Sequence, residues 1–171
     1  MKPITSRRAF TVGLAPGPLW QRMGSVDEFQ TWWPWLRDFS GGPPVTGATW
    51  DCTVRPPLLY RVRFGVHLEE VTAERRIAAT VTGDVAGTAL IELAPVATGT
   101  EVTLTSTLEP RSRLLRSVAI VAPPLARRGH DWVLTRAALD FPEYVDQPSK
   151  AASASSAGAA SSARQIKRSG R

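Results

Sequence analysis

Apolar and polar residues alternate strictly through the middle of this chain. Trp50, Cys52 and Val54 alternate with Asp51, Thr53 and Arg55, and Tyr60, Val62, Phe64, Val66 and Leu68 alternate with Arg61, Arg63 and His67. A period of two is that of a strand with one dry face and one wet face. Ile77, Ala79 and Val81 mark a third strand within Arg75 to Thr82, which Gly83-Asp84 turns into a fourth from Val85 to Leu93. Beyond the turn Thr98-Gly99-Thr100, Val102, Leu104, Ser106 and Leu108 share one face of a further strand. An earlier strand, Arg7 to Leu14, stops at the breaker cluster Ala15-Pro16-Gly17-Pro18.

Two short helices are expected after that first strand. Pro18 suits a first helical turn, and Leu19, Trp20 and Met23 share a side. Ser25 stands three residues before Glu28, a capping-box spacing ahead of Phe29 and Trp32. Pro34, within Trp32-Trp33-Pro34-Trp35, ends the second helix.

From Arg111 to Val145 the period becomes helical. Ala126, His130, Val133, Ala137 and Phe141 recur at spacings of four, three, four and four, one helix face that is apolar except for His130. Pro123 and Pro124 interrupt this segment, and an interior proline costs about 3 kcal/mol. A kink or break near Ala122 is therefore expected, with Val118 to Val121 packing differently from the part that bears His130. The strand connections are short, so the strands pair as an antiparallel meander. Its apolar face must be covered, and the terminal helix is the one element long enough to do so. The expected fold is α+β: six strands curved around a long, proline-kinked C-terminal helix, with two short helices after strand one.

Charge divides the chain. Of 21 basic and 15 acidic residues, Lys150, Arg164, Lys167, Arg168 and Arg171 follow every acid, leaving sixteen basic against fifteen acidic before them. A near-neutral body argues against a broad phosphate-binding surface, hence against a specific nucleic-acid partner. Residues 1–147 are read as one domain and 148–171, rich in Ala and Ser with a basic end, as a disordered tail that at most touches anionic surfaces weakly. Cys52 is the single cysteine, so no internal disulfide forms. The N-terminus has no signal-like apolar run, and the apolar stretch Val118 to Ala126 is too short to span a bilayer, which points to the cytoplasm.

Three stretches resemble a known group at residue level: Trp32-Trp33-Pro34-Trp35-Leu36, Gly47-Ala48-Thr49-Trp50, and Arg128-Gly129-His130-Asp131-Trp132-Val133. Together with the order of elements they are similar to the SRPBCC superfamily, the helix-grip proteins that include START-related lipid carriers and polyketide cyclases, in the branch termed polyketide cyclase/dehydrase-like. The resemblance spans about residues 5 to 145. It implies a cavity between sheet and helix, used in that superfamily for carriage, sensing, cyclisation or dehydration. Many members of that superfamily have seven strands, one more than the pattern marks, so either Pro43 to Ala48 hides a short strand or this branch has lost one, and six or seven strands are expected.

Strand parity then assigns the candidate wall. Trp50, Cys52, Val54, Tyr60, Val62, Phe64 and Val66 point inward with Ile77, Ala79, Val81, Leu104 and Ser106, facing Val118, Ala122, Ala126, His130 and Val133, while Trp33 and Trp35 stand at the entrance. Filled solidly, these side chains are an ordinary core; the small inward residues leave volume for a pocket of about 300–1,000 Å³. The expected guest is a hydrophobic or aromatic small molecule, lipid-like or polyketide-like. His130, and more weakly the hydroxyl of Tyr60, are the candidate catalytic groups of the alternative reading, a cyclase, aromatase or dehydrase. Asp131 lies about 100° round the helix from His130 and cannot orient it directly. A third reading is a protein-interaction module using Arg61, Arg63 and His67. No nucleophile elbow, phosphate loop or metal-ligand spacing is present, so no cofactor and no metal are implied.

Overall fold

The computed structural model describes residues 3–56, 60–121 and 123–145. Seven strands form one antiparallel sheet: β1 (Ile4–Val12), β2 (Leu36–Ser40), β3 (Thr49–Val54), β4 (Val62–Thr72), β5 (Arg76–Gly83), β6 (Val85–Val96) and β7 (Gly99–Pro110). Their order across the sheet is β1-β7-β6-β5-β4-β3-β2, a meander that β1 closes by pairing with the last strand, Ile4 against Leu108. Helices α1 (Pro16–Met23) and α2 (Phe29–Trp32) follow β1, and α3 (Arg113–Val121) and α4 (Pro123–Val145) end the described chain. This is the α+β arrangement expected, a curved sheet against a C-terminal helix.

The seventh strand is not where a hidden one was sought. Pro43 to Ala48 is a turn-rich loop, and the extra strand is Leu36–Ser40, which pairs with β3 at the sheet edge. A bulge between Leu36 and Asp38 shifts its register, so its apolar residues Leu36 and Phe39 do not keep a period of two. That shift removed the strand from the pattern. β1 begins at Ile4, earlier than Arg7, because the partner strand extends opposite it as far as Leu108.

The capping box does not form. Val26–Glu28 is a 3₁₀ turn, the Glu28 amide bonds the Ser25 carbonyl at 3.0 Å, and the Ser25 side chain caps nothing. With ψ at 63°, Ser25 lacks the extended backbone an N-cap needs. Residue 122, where the terminal helix was expected to break, lies outside the described residues, as do 146–171; α3 ends before it and α4 begins after it.

Helix α4 runs alongside β1 in the same direction. Ser6 meets His130 and Asp131, Arg8 meets Thr135, and Phe10 meets the ring of Phe141 edge-on at 6.4 Å. Around Phe141 the interior is aromatic: Trp32 lies 5.6 Å and Trp33 5.9 Å away, and Phe29 contacts Trp32, Trp33, Phe39 and Trp50 within 6 Å. Gly41 lets this cluster close, since a Cβ there would overlap the indole of Trp50, whose N–H donates to the Gly42 carbonyl at 2.8 Å. A second buried group, Leu68, Ile77 and Ala79, is covered by Trp20 and Met23 of α1. The sheet thus has three apolar territories along its inner face, and α4 covers only part of it.

Candidate functional site

The third territory is a cavity. It lies where β1, β4 and β6 begin and where β3 and β7 end, roofed by α3 and the first turns of α4. Its volume is about 130 Å³, and its wall is formed by Ile4, Val54, Pro56, Tyr60, Val62, Phe64, Val85, Leu108, Glu109, Pro110, Leu115, Gly129, His130 and Val133. This is smaller than the 300–1,000 Å³ expected of a pocket of this kind. The aromatic cluster at the Phe141 end and α1 over β4 and β5 fill the remaining space.

Among the residues assigned to the wall by strand parity, Val54, Tyr60, Val62, Phe64, His130 and Val133 line the cavity. Trp50, Cys52 and Leu104 instead pack around the main core, as do Trp33 and Trp35, expected at the entrance, and Val66, Ile77 and Ala79 belong to the cluster under α1. Val81 is buried at 3% exposure, away from the cavity wall. Ser106 stands behind His130. The side chains of Val118 and Ala126, like residue Ala122, lie outside what the structure describes. Parity assigns one face of a strand but carries no information about which helix covers which stretch of it.

Several wall residues have no signal in the pattern. Ile4, Val85 and Pro110 sit at strand ends and Leu115 at the start of α3, so each lies where a periodic segment stops, while Leu108 shares the alternating face of Val102, Leu104 and Ser106. One signal was available: once β1 pairs with β7 as the two ends of a meander, their terminal residues meet at one rim.

His130 is fixed by a chain of hydrogen bonds across three elements. Ser6 and Ser106 are direct partners in the β1–β7 ladder, and both are 6% exposed. Ser106 Oγ lies 2.8 Å from Nε2 of His130, and Ser6 Oγ lies 3.5 Å from Nδ1 and also bonds the Asp131 carboxylate. A carboxylate only accepts, so Ser6 donates to Asp131 and accepts from Nδ1–H, which leaves Nε2 to accept from Ser106. Ser6 therefore supplies the link to Asp131 that helix geometry denies. Arg8 holds the far end, 3.8 Å from Asp131, and donates to Thr135 Oγ1 at 3.2 Å. Arg8 and Asp131 are both more than a third exposed, so their pairing contributes only about 0–1 kcal/mol.

Burial holds the His130 imidazole below its ordinary 6.5, against the opposing pull of Asp131 and aided by Arg8. Both ring nitrogens are engaged by serines, so the ring offers the cavity its carbon surface. Glu109, the acid in the wall, is held by Arg111 at 2.6 Å. Tyr60 is different. Burial raises the pKa of its phenol, and its hydroxyl has no hydrogen-bond partner among the described residues. Trp132 turns away from the cavity and meets Trp35 edge-on at 6.1 Å.

Among the described residues, no group of three histidines, cysteines or acids could hold a metal, and no helix is long and apolar enough to cross a membrane. Cys52 is half-buried, its thiol pushed up to about 12 by burial and by the neighbouring Asp51, so it is a poor ligand and a poor nucleophile.

No protein-family model matches the sequence, and no curated protein sequence matches it. Solved structures do. The Zhui aromatase/cyclase from Streptomyces sp. R1128 superimposes with a TM-score of 0.64 at 14% identity, over 84% of this chain and 91% of that one. A START superfamily protein from Mycobacterium smegmatis gives 0.66 at 12%, over 84% and 97%, and a protein of unknown function from Staphylococcus aureus gives 0.60 at 11%, over 84% and 93%. At these identities the likeness is one of fold. The chain has the helix-grip α+β fold of these structures, and its own side chains must carry any functional reading.

Proposed function

We propose that this protein, a helix-grip fold with a small apolar hollow, binds a hydrophobic or aromatic small molecule between its sheet and α4. The observation that carries this reading is the cavity itself: about 130 Å³, with Ile, Val, Leu, Phe and Pro as most of its wall residues. An apolar hollow of this order accepts apolar guests, because such a guest restores dispersion contacts that the lining otherwise lacks. Two fold neighbours, an aromatase/cyclase and a START superfamily protein by their names, agree with a ligand-binding use of the fold.

The test is direct. Toluene titrated into the protein is expected to raise the melting temperature in a saturable way, as any ligand specific to the native state does. Val133→Trp, which fills the cavity from α4, is expected to abolish that rise while the variant stays folded. A melting temperature indifferent to toluene and to larger apolar probes alike sinks the reading.

A cyclase or dehydrase is the second reading, and the serine-histidine-serine-aspartate chain behind the wall is what favours it. It ranks second because proton transfer to a guest requires a nitrogen of His130 to release a serine first.

A further inference from the structure

Three polar residues belong to the cavity wall: Tyr60, Glu109 and His130. Two are committed elsewhere. The Glu109 carboxylate is held by Arg111 at 2.6 Å, and the His130 nitrogens face Ser6 and Ser106 at 3.5 and 2.8 Å. The Tyr60 hydroxyl alone has no partner among the described residues. Its pKa is raised by burial, so it is a neutral phenol able to donate one hydrogen bond and accept another.

Size sets the second constraint. An apolar cavity of about 150 Å³ holds one benzene. At about 130 Å³ this cavity is of the same order, the size of one ring. The wall also contributes flat surfaces, the rings of Phe64, Tyr60 and His130 and the face of Pro56, which suit an aromatic guest better than a branched aliphatic one.

We propose that the guest is a one-ring aromatic molecule of the phenol class, carrying a single oxygen that hydrogen-bonds to the hydroxyl of Tyr60. This rests on the small-molecule reading above and narrows it. A guest phenol taken from water into this apolar cavity gives up hydrogen bonds to water, and the Tyr60 hydroxyl is the polar group of the wall left to replace one of them. A hydrogen bond to Tyr60 offsets that loss, which is how a small pocket distinguishes p-cresol from toluene.

The experiment is calorimetric titration of p-cresol, toluene, 1-naphthol and decanoate into the full-length protein and into Tyr60→Phe. That variant loses only a hydroxyl with no protein partner, so it is expected to fold, and a toluene affinity within about twofold of wild type checks that the wall is intact. The ratio of p-cresol to toluene affinity is expected to fall about three- to tenfold in Tyr60→Phe, the size of one net hydrogen bond. An unchanged ratio overturns the role of Tyr60. Binding of 1-naphthol or decanoate as tight as that of p-cresol overturns the one-ring limit and leaves the small-molecule reading standing. Failure of all four compounds removes both proposals together.

Discussion

His130 is kept neutral by where it sits, and this makes its titration visible in stability. Its pKa in the folded protein is below the ordinary 6.5, mainly through burial. Between those two values the unfolded chain binds the proton and the folded one does not, so acid favours unfolding. Stability is therefore expected to be full above about pH 6.5 and to fall as the pH drops through the lowered value. Urea midpoints at pH 7.5 and pH 5 check this: the drop should be larger for wild type than for His130→Asn, which cannot charge. Equal drops would mean that other groups carry the acid sensitivity. The same burial explains why His130 reads as a clasp more than as a base. Each nitrogen already holds a serine, and releasing one leaves a buried polar group unpaired at a cost of about 1–3 kcal/mol.

Among the elements, α4 is anchored at two points of different chemistry. Its early turns are held to β1 and β7 by hydrogen bonds at His130 and Asp131, and its later turns by Phe141 against Phe10, Trp32 and Trp33. Phe141 is 5% exposed, so replacing it removes a large area of apolar contact. Phe141→Ala is expected to cost about 3–5 kcal/mol in a denaturant titration and to shift tryptophan emission to the red as Trp32 and Trp33 gain water. A loss below about 1 kcal/mol would show that the aromatic cluster closes without α4. The cavity lies at the His130 end of α4, by the rim of the sheet, and Phe141 is not among its wall residues.

At the scale of the whole molecule, charge and packing are separable. The residues before Lys150 carry sixteen basic against fifteen acidic side chains, so most of the net +6 lies beyond them. Ending the chain at residue 147 is expected to change the melting temperature by less than about 2 °C and to remove most of its retention on a cation exchanger. A large drop in melting temperature would place part of the core's support in the last stretch.

The amino-acid order alone determined most of the framework. Alternation marks β3 to β7, breakers mark the turns, a helical period marks the segment that bears His130, and short connections leave the antiparallel meander as the way to join them. These are local properties, written within a dozen residues of where they act. Other features depend on partners distant in the chain. The strand Leu36–Ser40 is erased from the pattern by its bulge. The clasp needs Ser6 and Ser106, a hundred residues apart in sequence and adjacent in the ladder. The division of the inner face among α1, the aromatic cluster and α4 decides which inward residues meet open space, and no single strand records which helix will cover it. A cavity is volume left unfilled by many side chains together, so only the tertiary structure could locate it at the rim near Tyr60 and limit it to about 130 Å³.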